Sequence, residues 1–324
     1  MKAIVCRQFG PPESLRLEDI DEPTAGPGEV VIRVRAVGLN FFDLLLLQNK
    51  YQVKPDLPFS PGGELAGEID RVGADCEWAK PGDRVIALTR FGAACEKVVV
   101  AESDLIAMPD ELSFELAASL TVTYGTTLHA LADRGELKPG ETVAILGASG
   151  GVGQAAIEIA KLMGARVIAC ASSPEKLAFC REKGADEVID YSTEALKVRL
   201  RELTDDVGVD VVYDAVGDKY SEPAIRALAW RGRHLVVGFA GGEIPKIPLN
   251  LLLLRGADVR GVFWGEFVAR EPDAFADVVR KLMDWTVRGA LKPHIHAVYP
   301  LERTGEALAE LAARRVIGKI IVKP

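Results

Sequence analysis

The feature that most limits how this chain can fold is a short apolar run that leads directly into a glycine-dense turn. Residues 143–146 read Val-Ala-Ile-Leu, and residues 147–153 read Gly-Ala-Ser-Gly-Gly-Val-Gly. Apolar residues then recur at helical spacing over 154–163, and Gly164 suits the end of a helix. A buried strand, a glycine turn and a helix in this order form the context that a dinucleotide-binding fingerprint requires.

The glycines of this turn have the spacing of that fingerprint, with Ala148 in the place of its first glycine. Gly150 would let the backbone approach a pyrophosphate, and Gly153 would let the helix pack closely on the strand. Free N–H groups and the helix dipole favour an anion at the N-terminus of the helix. The cofactor-binding residues predicted here are Ser149, Gly150, Gly151 and Val152. The alternative is a tight turn of a parallel sheet that binds no ligand.

Composition argues against several classes of function. The 324 residues are 48% hydrophobic and carry a net charge of −8, a globular composition at a length that favours two domains. The excess of acidic residues argues against nucleic-acid and anionic-membrane partners. Apolar runs such as Leu44–Leu47 are too short for a membrane span, and the first residues lack the pattern of a signal peptide. Five cysteines without a Cys-x-x-Cys predict reduced thiols in a cytoplasmic protein.

The pattern of elements predicts an α/β protein with two domains. Up to about residue 110, short strands alternate with Pro-Gly turns, which indicates a β-rich domain. From Phe114 onwards helices alternate with strands, as in the doubly wound parallel sheet of a Rossmann domain. The closing strand, Gly318–Val322, has no helix after it and is expected to rejoin the β-rich domain. The predicted boundaries are 1–122 and 291–324 for the β-rich domain and 123–290 for the inserted Rossmann domain.

Within these domains, four elements bear on the functional site. A short helix is predicted at about Phe41–Gln48, a longer one around Phe114–Arg134, and a third near Glu222–Arg231. The last strand of the parallel sheet is predicted at Asp258–Phe263.

The tip of the second Rossmann strand indicates which dinucleotide is bound. An NAD-preferring domain usually has Asp or Glu there, about 20 residues past the glycines. Here the tip has Ser172 and Ser173, with Lys176 in the first turn of the next helix. Two hydroxyls and a lysine at a helix N-terminus suit a 2′-phosphate, so NADPH is the predicted cofactor. Ser173 also suits a simple helix cap, and Glu175 is an alternative partner for the ribose diol. Tyr191, at the tip of the neighbouring strand, is expected to flank the adenosine phosphate.

Five segments carry a family resemblance: Gly38–Asp43, Leu57–Gly67, Tyr124–Leu131, Gly147–Gly153 and Gly318–Lys319. With these motifs the chain resembles, over essentially its full length, the medium-chain dehydrogenase/reductase superfamily. Within it, the chain is most similar to the zinc-free NADPH:quinone oxidoreductase (zeta-crystallin-like) branch. The resemblance implies a GroES-like β-rich catalytic domain with an inserted Rossmann domain.

The resemblance also shows where the chain departs from the zinc alcohol dehydrogenases. Those enzymes have a Gly-His-Glu segment where this chain has Gly62-Gly63-Glu64, and a catalytic cysteine where it has Asn40. The four closely spaced cysteines that hold their structural zinc are missing as well. His294 and His296 have no third partner in the sequence. Because a catalytic zinc needs three protein ligands, no metal is predicted.

A site without a Lewis acid suits acceptors that take up hydride readily, namely quinones or activated alkenes such as enones and enals. The resemblance implies that Asn40, Tyr51 and Asp43 line the cleft near the nicotinamide. Asn40 would donate an amide hydrogen bond to a carbonyl oxygen, and Tyr51 would be a donor or a proton source. Asp43 would have a chemical role or cap the short helix. An enoyl-thioester (enoyl-CoA type) reductase and a low-turnover NADPH-binding crystallin-like or sensor protein remain as alternatives.

The remaining site residues follow from the switch-point rule and from the resemblance. They are Thr126, Gly238, Phe239, Phe263, Trp264 and Lys319, all predicted to contact the cofactor. Thr126 has the alternative of bonding its own helix, and Phe263 and Trp264 that of being buried strand aromatics. Family members commonly join their coenzyme domains edge to edge, which implies a homodimer to which Trp264 would contribute.

Overall fold

The computed structural model of the chain describes all residues from 1 to 324. Its strands are β1 (Lys2–Val5), β2 (Arg16–Asp19), β3 (Glu29–Leu39), β4 (Glu64–Val72), β5 (Arg84–Leu88), β6 (Lys97–Ala101), β7 (Leu105–Ala107), β8 (Thr142–Leu146), β9 (Arg166–Ala171), β10 (Glu187–Asp190), β11 (Val209–Asp214), β12 (Leu228–Val236), β13 (Asp258–Gly261), β14 (Ile295–Pro300) and β15 (Lys319–Lys323). Its α-helices are α1 (Phe41–Leu47), α2 (Phe114–Ala117), α3 (Gly125–Leu128), α4 (Gly151–Leu162), α5 (Pro174–Glu182), α6 (Leu196–Glu202), α7 (Asp218–Arg226), α8 (Asn250–Arg255), α9 (Trp264–Arg270), α10 (Pro272–Val287) and α11 (Thr304–Ala312). None of the helices has the length and apolar character that crossing a bilayer requires.

The chain divides into two compact units. Unit 1 comprises Met1–Val122, Val279–Gly289 and Pro293–Pro324, and unit 2 comprises Thr123–Val278 and Ala290–Lys292. The domain boundaries derived from the sequence pattern remain a prediction. They differ from the two units in the assignment of residues 279–289 and 291–292.

Unit 1 is organised around β3, the longest strand, whose apolar residues are almost all buried. It pairs antiparallel with β4, β6 and β15, and the main path of the sheet runs β14-β15-β3-β4-β5-β7. The register places Ile320 of β15 opposite Leu39 of β3. The prediction that the closing strand rejoins the β-rich domain is therefore confirmed, and the start of β15 lies beside the end of β3.

Unit 2 contains a parallel sheet of six strands in the order β10-β9-β8-β11-β12-β13. Val143–Leu146 of β8 are fully buried, as expected for a central parallel strand with both faces covered. The strand order reverses between β8 and β11, which is the switch point at which open α/β sheets bind ligands. The predicted fold class, a β-rich part plus a doubly wound Rossmann sheet, is confirmed.

The helix predicted around Phe114–Arg134 is wrong as a single element. α2 ends at Ala117, and two π-helical turns, Leu120–Tyr124 and His129–Arg134, flank α3. A π turn shifts the side-chain register, so no single 3.6-residue period runs through this segment. At Gly125 of α3, an added Cβ would lie 2.4 Å from the ring of Trp264, which shows how closely that indole packs on the segment.

Two other predicted elements have shifted bounds. β13 ends at Gly261, so Phe263 and Trp264 are not strand residues; Phe263 caps α9, which begins at Trp264. The helix predicted near Glu222–Arg231 is α7, which begins after Gly217. It ends earlier than predicted because β12 already starts at Leu228.

Candidate functional site

The glycine turn of unit 2 joins β8 to α4 and presents backbone rather than side chains. Gly147 has a φ of 70°, in the region that favours glycine. Gly150 is the N-cap of α4 and has no side chain to bond the first N–H groups of the helix. A Cβ on Gly153 would lie 2.2 Å from the carbonyl oxygen of Gly147. Only glycine at position 153 therefore lets α4 pack this closely against the turn.

The N-terminus of α4 fits the pyrophosphate of a dinucleotide. The N–H groups of the first turn have no partner within the helix, and the dipole of this 12-residue helix adds partial positive charge. No acidic residue lies in that turn. Gly150, Gly151 and Val152 supply the backbone of this cradle, and Ser149 is buried next to it. Their assignment to the cofactor remains a prediction, which the local geometry supports.

The tip of β9 has the cap that the sequence indicates. Ser173 is the N-cap of α5, Pro174 follows it, and the Ser173 Oγ accepts the Lys176 N–H at 3.4 Å. Ser172 is exposed beside it. A cap does not prevent these groups from binding an anion, because the remaining N–H groups of α5 still face outwards from the helix. Binding of a 2′-phosphate here remains a prediction.

Tyr191 lies next to this tip because its N–H bonds to the carbonyl oxygen of Ala171 at 3.1 Å. Its ring packs on the ring of Tyr220 with 4.4 Å between the centroids. The Lys219 ammonium also lies over the ring of Tyr220, 5.3 Å from its centroid. The aromatic pair therefore brings the start of α7 close to the tips of β9 and β10.

Asp214, at the end of β11, organises the loop at the switch point and is a residue that the sequence reasoning missed. Its carboxylate accepts the N–H groups of Val216 and Gly217 at 2.9 and 2.8 Å and the Ser221 hydroxyl at 2.5 Å. His234 Nε2 lies 3.2 Å from the same carboxylate. Although burial acts in the opposite direction, these partners hold the pKa of Asp214 below its ordinary value. The ionised carboxylate thus fixes the loop against the glycine turn, where a Cβ on Gly147 would lie 2.9 Å from Val216.

The predicted nicotinamide contacts of unit 2 are distributed over two loops. Gly238 bonds through its N–H to the carbonyl oxygen of Asp214, and the ring of Phe239 covers Gly217. Phe263 is about half exposed, whereas Trp264 is buried.

The indole of Trp264 packs among three rings of unit 2. Its neighbours are His129, Phe267 and Phe275, with centroids 5.4 to 6.1 Å away. Burial lowers the pKa of His129, which keeps that imidazole neutral at pH 7. Thr126, on α3, is also buried. Neither assignment to the cofactor is tested by these contacts.

Unit 1 contains a cluster of buried polar side chains, here called the polar core: Asn40, Asp43, Glu64, Thr121 and Lys319. At its centre is Glu64, whose side chain is fully buried and whose two oxygens accept four hydrogen bonds. Oε1 accepts from Lys319 Nζ and from Asn40 Nδ2, the latter at 2.9 Å. Oε2 accepts from the Thr121 hydroxyl at 2.6 Å and from the Val122 N–H at 2.9 Å. Glu64 has no free acceptor site toward a ligand.

Asn40, the residue predicted to donate to a substrate, is fully engaged in this cluster. Its Nδ2 donates to the Gly38 carbonyl oxygen at 3.1 Å as well as to Glu64, and its Oδ1 accepts from Lys319 Nζ at 2.5 Å. Both amide hydrogens are therefore used within the protein. Lys319, predicted to contact the cofactor, has its ammonium buried between Asn40 and Glu64. The arrangement favours a positioning role for both residues, and the predicted direct roles remain untested.

Asp43 ties the start of α1 to the turn before β4. Its carboxylate accepts the N–H of Asn40 at 2.8 Å and that of Gly62 at 3.0 Å, so the capping interpretation of the sequence holds. Burial raises the pKa of Asp43 to about 7, despite these hydrogen bonds and the nearby Lys319. Burial, together with Asp43, also raises the pKa of Tyr51, which stacks on Phe42 at 5.5 Å. Tyr51 is therefore a neutral hydroxyl at physiological pH.

The polar core does not fit a catalytic zinc. Zinc sites use thiolate, imidazole and carboxylate donors, and the core offers only two carboxylates, of which Glu64 accepts four hydrogen bonds and Asp43 two from protein donors. The Lys319 ammonium already forms an ion pair with Glu64, which makes a second cation beside that carboxylate unfavourable. No group of three or more potential ligands occurs elsewhere in the chain, and His296 faces Glu310.

Two families of known domains match separate parts of the chain. Residues 26–110 match the family of alcohol dehydrogenase GroES-like domains, and residues 151–284 match the zinc-binding dehydrogenases. A quinone oxidoreductase of Pseudomonas aeruginosa is 37% identical over 325 residues, covering 100% of this chain and 99% of that protein. The chain belongs to the medium-chain dehydrogenase/reductase superfamily.

Solved structures of quinone oxidoreductases are similar to this chain over its whole length. The quinone oxidoreductase of Pseudomonas syringae pv. Tomato DC3000 is 36% identical with a TM-score of 0.93, over 100% of this chain and 99% of that one. The Escherichia coli quinone oxidoreductase complexed with NADPH is 27% identical with a TM-score of 0.93, over 100% of both chains. The protein is thus an oxidoreductase of this superfamily with an NAD(P)-type cofactor site.

Proposed function

We propose that the protein is an NADPH-dependent reductase that transfers hydride to quinones or to α,β-unsaturated carbonyl compounds without a metal. The observation that carries the proposal is the polar core, in which the Lys319 ammonium rather than a zinc donor set lies beside Asn40 and Glu64. Oxidation of an unactivated alcohol benefits from a Lewis acid, whereas a quinone or enone needs mainly hydrogen-bond donors for the developing oxyanion. Relatives that bear the name quinone oxidoreductase support the acceptor class.

The cofactor assignment rests on two helix N-termini of unit 2. NADPH, when bound, supplies the hydride. The first turn of α4 would hold its pyrophosphate, and Ser172, Ser173 and Lys176 at the start of α5 would hold the 2′-phosphate. The NADPH complex of the Escherichia coli relative supports this choice. The proposed cofactor contacts are Thr126, Ser149, Gly150, Gly151, Val152, Ser172, Ser173, Lys176, Tyr191, Gly238, Phe239 and Phe263.

At the acceptor, we infer a role for Tyr51, whose hydroxyl stays protonated because burial raises its pKa. It would donate a hydrogen bond, or a proton through water, to the oxygen that gains charge. Asn40 and Asp43 would maintain the shape of the surrounding loop, since their polar atoms bond to the protein.

A panel of acceptors tests the proposal. NADPH absorbance is followed with a quinone, an enone, an enoyl-CoA and a primary alcohol with NADP⁺, using protein whose metal content has been measured. We expect turnover with the quinone or enone and less than stoichiometric metal. Faster turnover of the enoyl-CoA would reassign the protein to the thioester reductases, and tight NADPH binding without any turnover would make it a binding protein. Stoichiometric zinc would overturn the metal-free site.

We also propose that the protein is a homodimer joined through unit 2 and that it acts in the cytoplasm. β13 is an edge strand, and Val259 on it is 43% exposed. Leu253 and Leu254 of α8 are 80% and 70% exposed, an apolar surface typical of an interface. Trp264 is buried within its own chain, so Val259 and Phe263 are better placed to meet a partner. Sedimentation of V259D, expected to be monomeric, tests the interface.

The proposed location in the cytoplasm rests on the thiols. All five cysteines are free, which suits a reducing compartment.

A further inference from the structure

We propose that Glu64 and Lys319 are positioning residues that replace a metal centre as the organising charge of the active site. Their buried ion pair orients the Asn40 carboxamide and fixes the segment Thr121–Val122. This inference rests on the proposed function for its catalytic consequence, but its structural part can be measured without turnover.

The first step of the argument is that the pair determines which way Asn40 points. The Oδ1 of Asn40 faces the Lys319 ammonium at 2.5 Å, and its Nδ2 faces the Glu64 carboxylate at 2.9 Å. A flipped amide would put a donor against a cation and an acceptor against an anion. The two charges therefore favour a single orientation, and the hydrogen bond from Nδ2 to the Gly38 carbonyl oxygen favours the same one.

The second step is that the pair joins four separate parts of unit 1. Lys319 begins β15, Glu64 begins β4, and Asn40 follows β3. The other oxygen of Glu64 holds the Thr121 hydroxyl and the Val122 N–H, in the π-helical turn at which the chain leaves unit 1 for unit 2. Removing either charge would release contacts in several segments at once.

The third step is that the surrounding backbone is shaped to admit the pair. A Cβ on Gly38 would lie 2.0 Å from the Ala118 carbonyl oxygen and 2.7 Å from the Glu64 Oε1. Gly318, directly before Lys319, has a φ of 77°, which lets the backbone turn as it enters β15. The Lys319 N–H bonds to the His294 carbonyl oxygen at 3.0 Å. The position of the ammonium is thus fixed by backbone as well as by charge.

A buried ion pair by itself does not establish a functional role, because such pairs are often no more stabilising than apolar substitutes. Removal of one partner leaves an uncompensated buried charge and destabilises the protein whatever its role, whereas removal of both need not. The double variant E64Q/K319M therefore separates the two possibilities. It removes the charges with little change of shape and without leaving one of them unpaired.

The test compares K319M, E64Q, the double variant and a matched control, K323M. Lys323 lies on the same strand and forms a surface ion pair with Glu115. We expect both single variants to lower the melting temperature and to lower kcat about 10- to 100-fold, the range expected for loss of positioning. The double variant should regain the melting temperature but not kcat, with the KM for NADPH unchanged. K323M should resemble the wild type in every measurement.

Recovery of kcat together with the melting temperature in the double variant would mean that the pair is only structural, and would overturn the proposal. Nuclear magnetic resonance of the Asn40 carboxamide gives a second readout that does not depend on activity. Its two hydrogens should exchange slowly in the wild type and K323M and rapidly in the double variant. Equal protection in all variants would equally overturn the proposal. If the wild type reduces no acceptor, the proposed function fails, yet the exchange measurement still decides whether the pair orients Asn40.

Discussion

The glycine turn of unit 2 and the polar core of unit 1 are built in opposite ways. The turn depends on the absence of side chains, since a single Cβ on Gly153 would collide with the backbone of Gly147. The polar core depends on side chains that are fully formed and paired, with Glu64 saturated by four donors. The turn is contiguous in sequence, whereas Glu64 and Lys319 are 255 positions apart. The glycine turn therefore cannot accommodate an added side chain, and the polar core cannot lose one of its charges without leaving the other unpaired.

The largest expected effect concerns the charge on Asp43. In the folded protein its pKa is raised from 3.8 to about 7, so between these values the folded state holds a proton that the unfolded state has lost. Stability from this group is fully present below pH 4 and is lost as the pH rises through 7. The Asn side chain of D43N does not titrate, so this variant does not lose stability in the same way. From pH 4 to 7.5 its unfolding free energy should therefore rise relative to that of the wild type by up to about 4 kcal/mol.

Urea unfolding at several pH values measures this difference. D110N is the control, because the Asp110 side chain of the same unit is 94% exposed. Parallel pH profiles for D43N and the wild type would show that Asp43 does not titrate in this range, which would contradict the raised pKa of Asp43.

The next largest expected effect concerns the glycine turn of unit 2. In G153A the new Cβ would meet three backbone atoms of Gly147 and Ala148 within 2.7 Å, so the turn and α4 must separate. We expect NADPH binding, measured by fluorescence titration, to weaken about 100-fold or more, because displacing a preorganised cradle costs several kcal/mol. G261A of the same unit is the control, since nothing lies within 4 Å of its Cβ. Unchanged affinity in G153A would remove the pyrophosphate from this turn.

A glycine of unit 1 gives the corresponding test of the polar core. G38A places a Cβ 2.0 Å from the Ala118 carbonyl oxygen and close to Glu64. Overpacking of this kind should lower the unfolding free energy by about 2 kcal/mol, with no direct effect on NADPH affinity. G10A, with its nearest contact at 3.5 Å, is the control in the same unit. A loss of NADPH affinity as large as that of G153A would erase the distinction between the two regions.

The smallest expected effect distinguishes the two nicotinamide cofactors. K176A should weaken NADPH binding about 10-fold, or about 1.4 kcal/mol, and leave NADH binding unchanged, because only NADPH has the 2′-phosphate. Lys197, which is exposed on α6 of the same unit, supplies the control variant K197A. Equal losses for both cofactors would place Lys176 away from the 2′-phosphate.

Sequence reasoning succeeded where the physical cause is local. The strand–turn–helix of residues 142–162 could be predicted because burial, φ at glycine and helical spacing are all encoded within about one element length. The Ser173 cap was readable for the same reason. The break in the helix predicted around Phe114–Arg134 was not, since the residues directly after Ala117 carry no glycine, proline or cap signal that marks the end of α2.

The polar core could not be derived from pattern. In the sequence, nothing distinguishes Asn40 from an amide that is free to bind a substrate. Only the fold shows that Lys319 and Glu64 use its hydrogen-bonding groups. A weak signal was present: Glu64 and Lys319 each stand at the edge of an otherwise apolar run. Charged residues at such positions are seldom buried unless they are paired. The sequence does not indicate which two form the pair.

The pairing of β15 with β3 also has a consequence for biosynthesis. Glu64 is synthesised long before Lys319, so the ion pair between them cannot form while the intervening residues emerge from the ribosome. Unit 2, apart from three residues, is encoded as one continuous stretch, and its sheet can form on the nascent chain. The interrupted unit would be completed last, after the insertion has already folded.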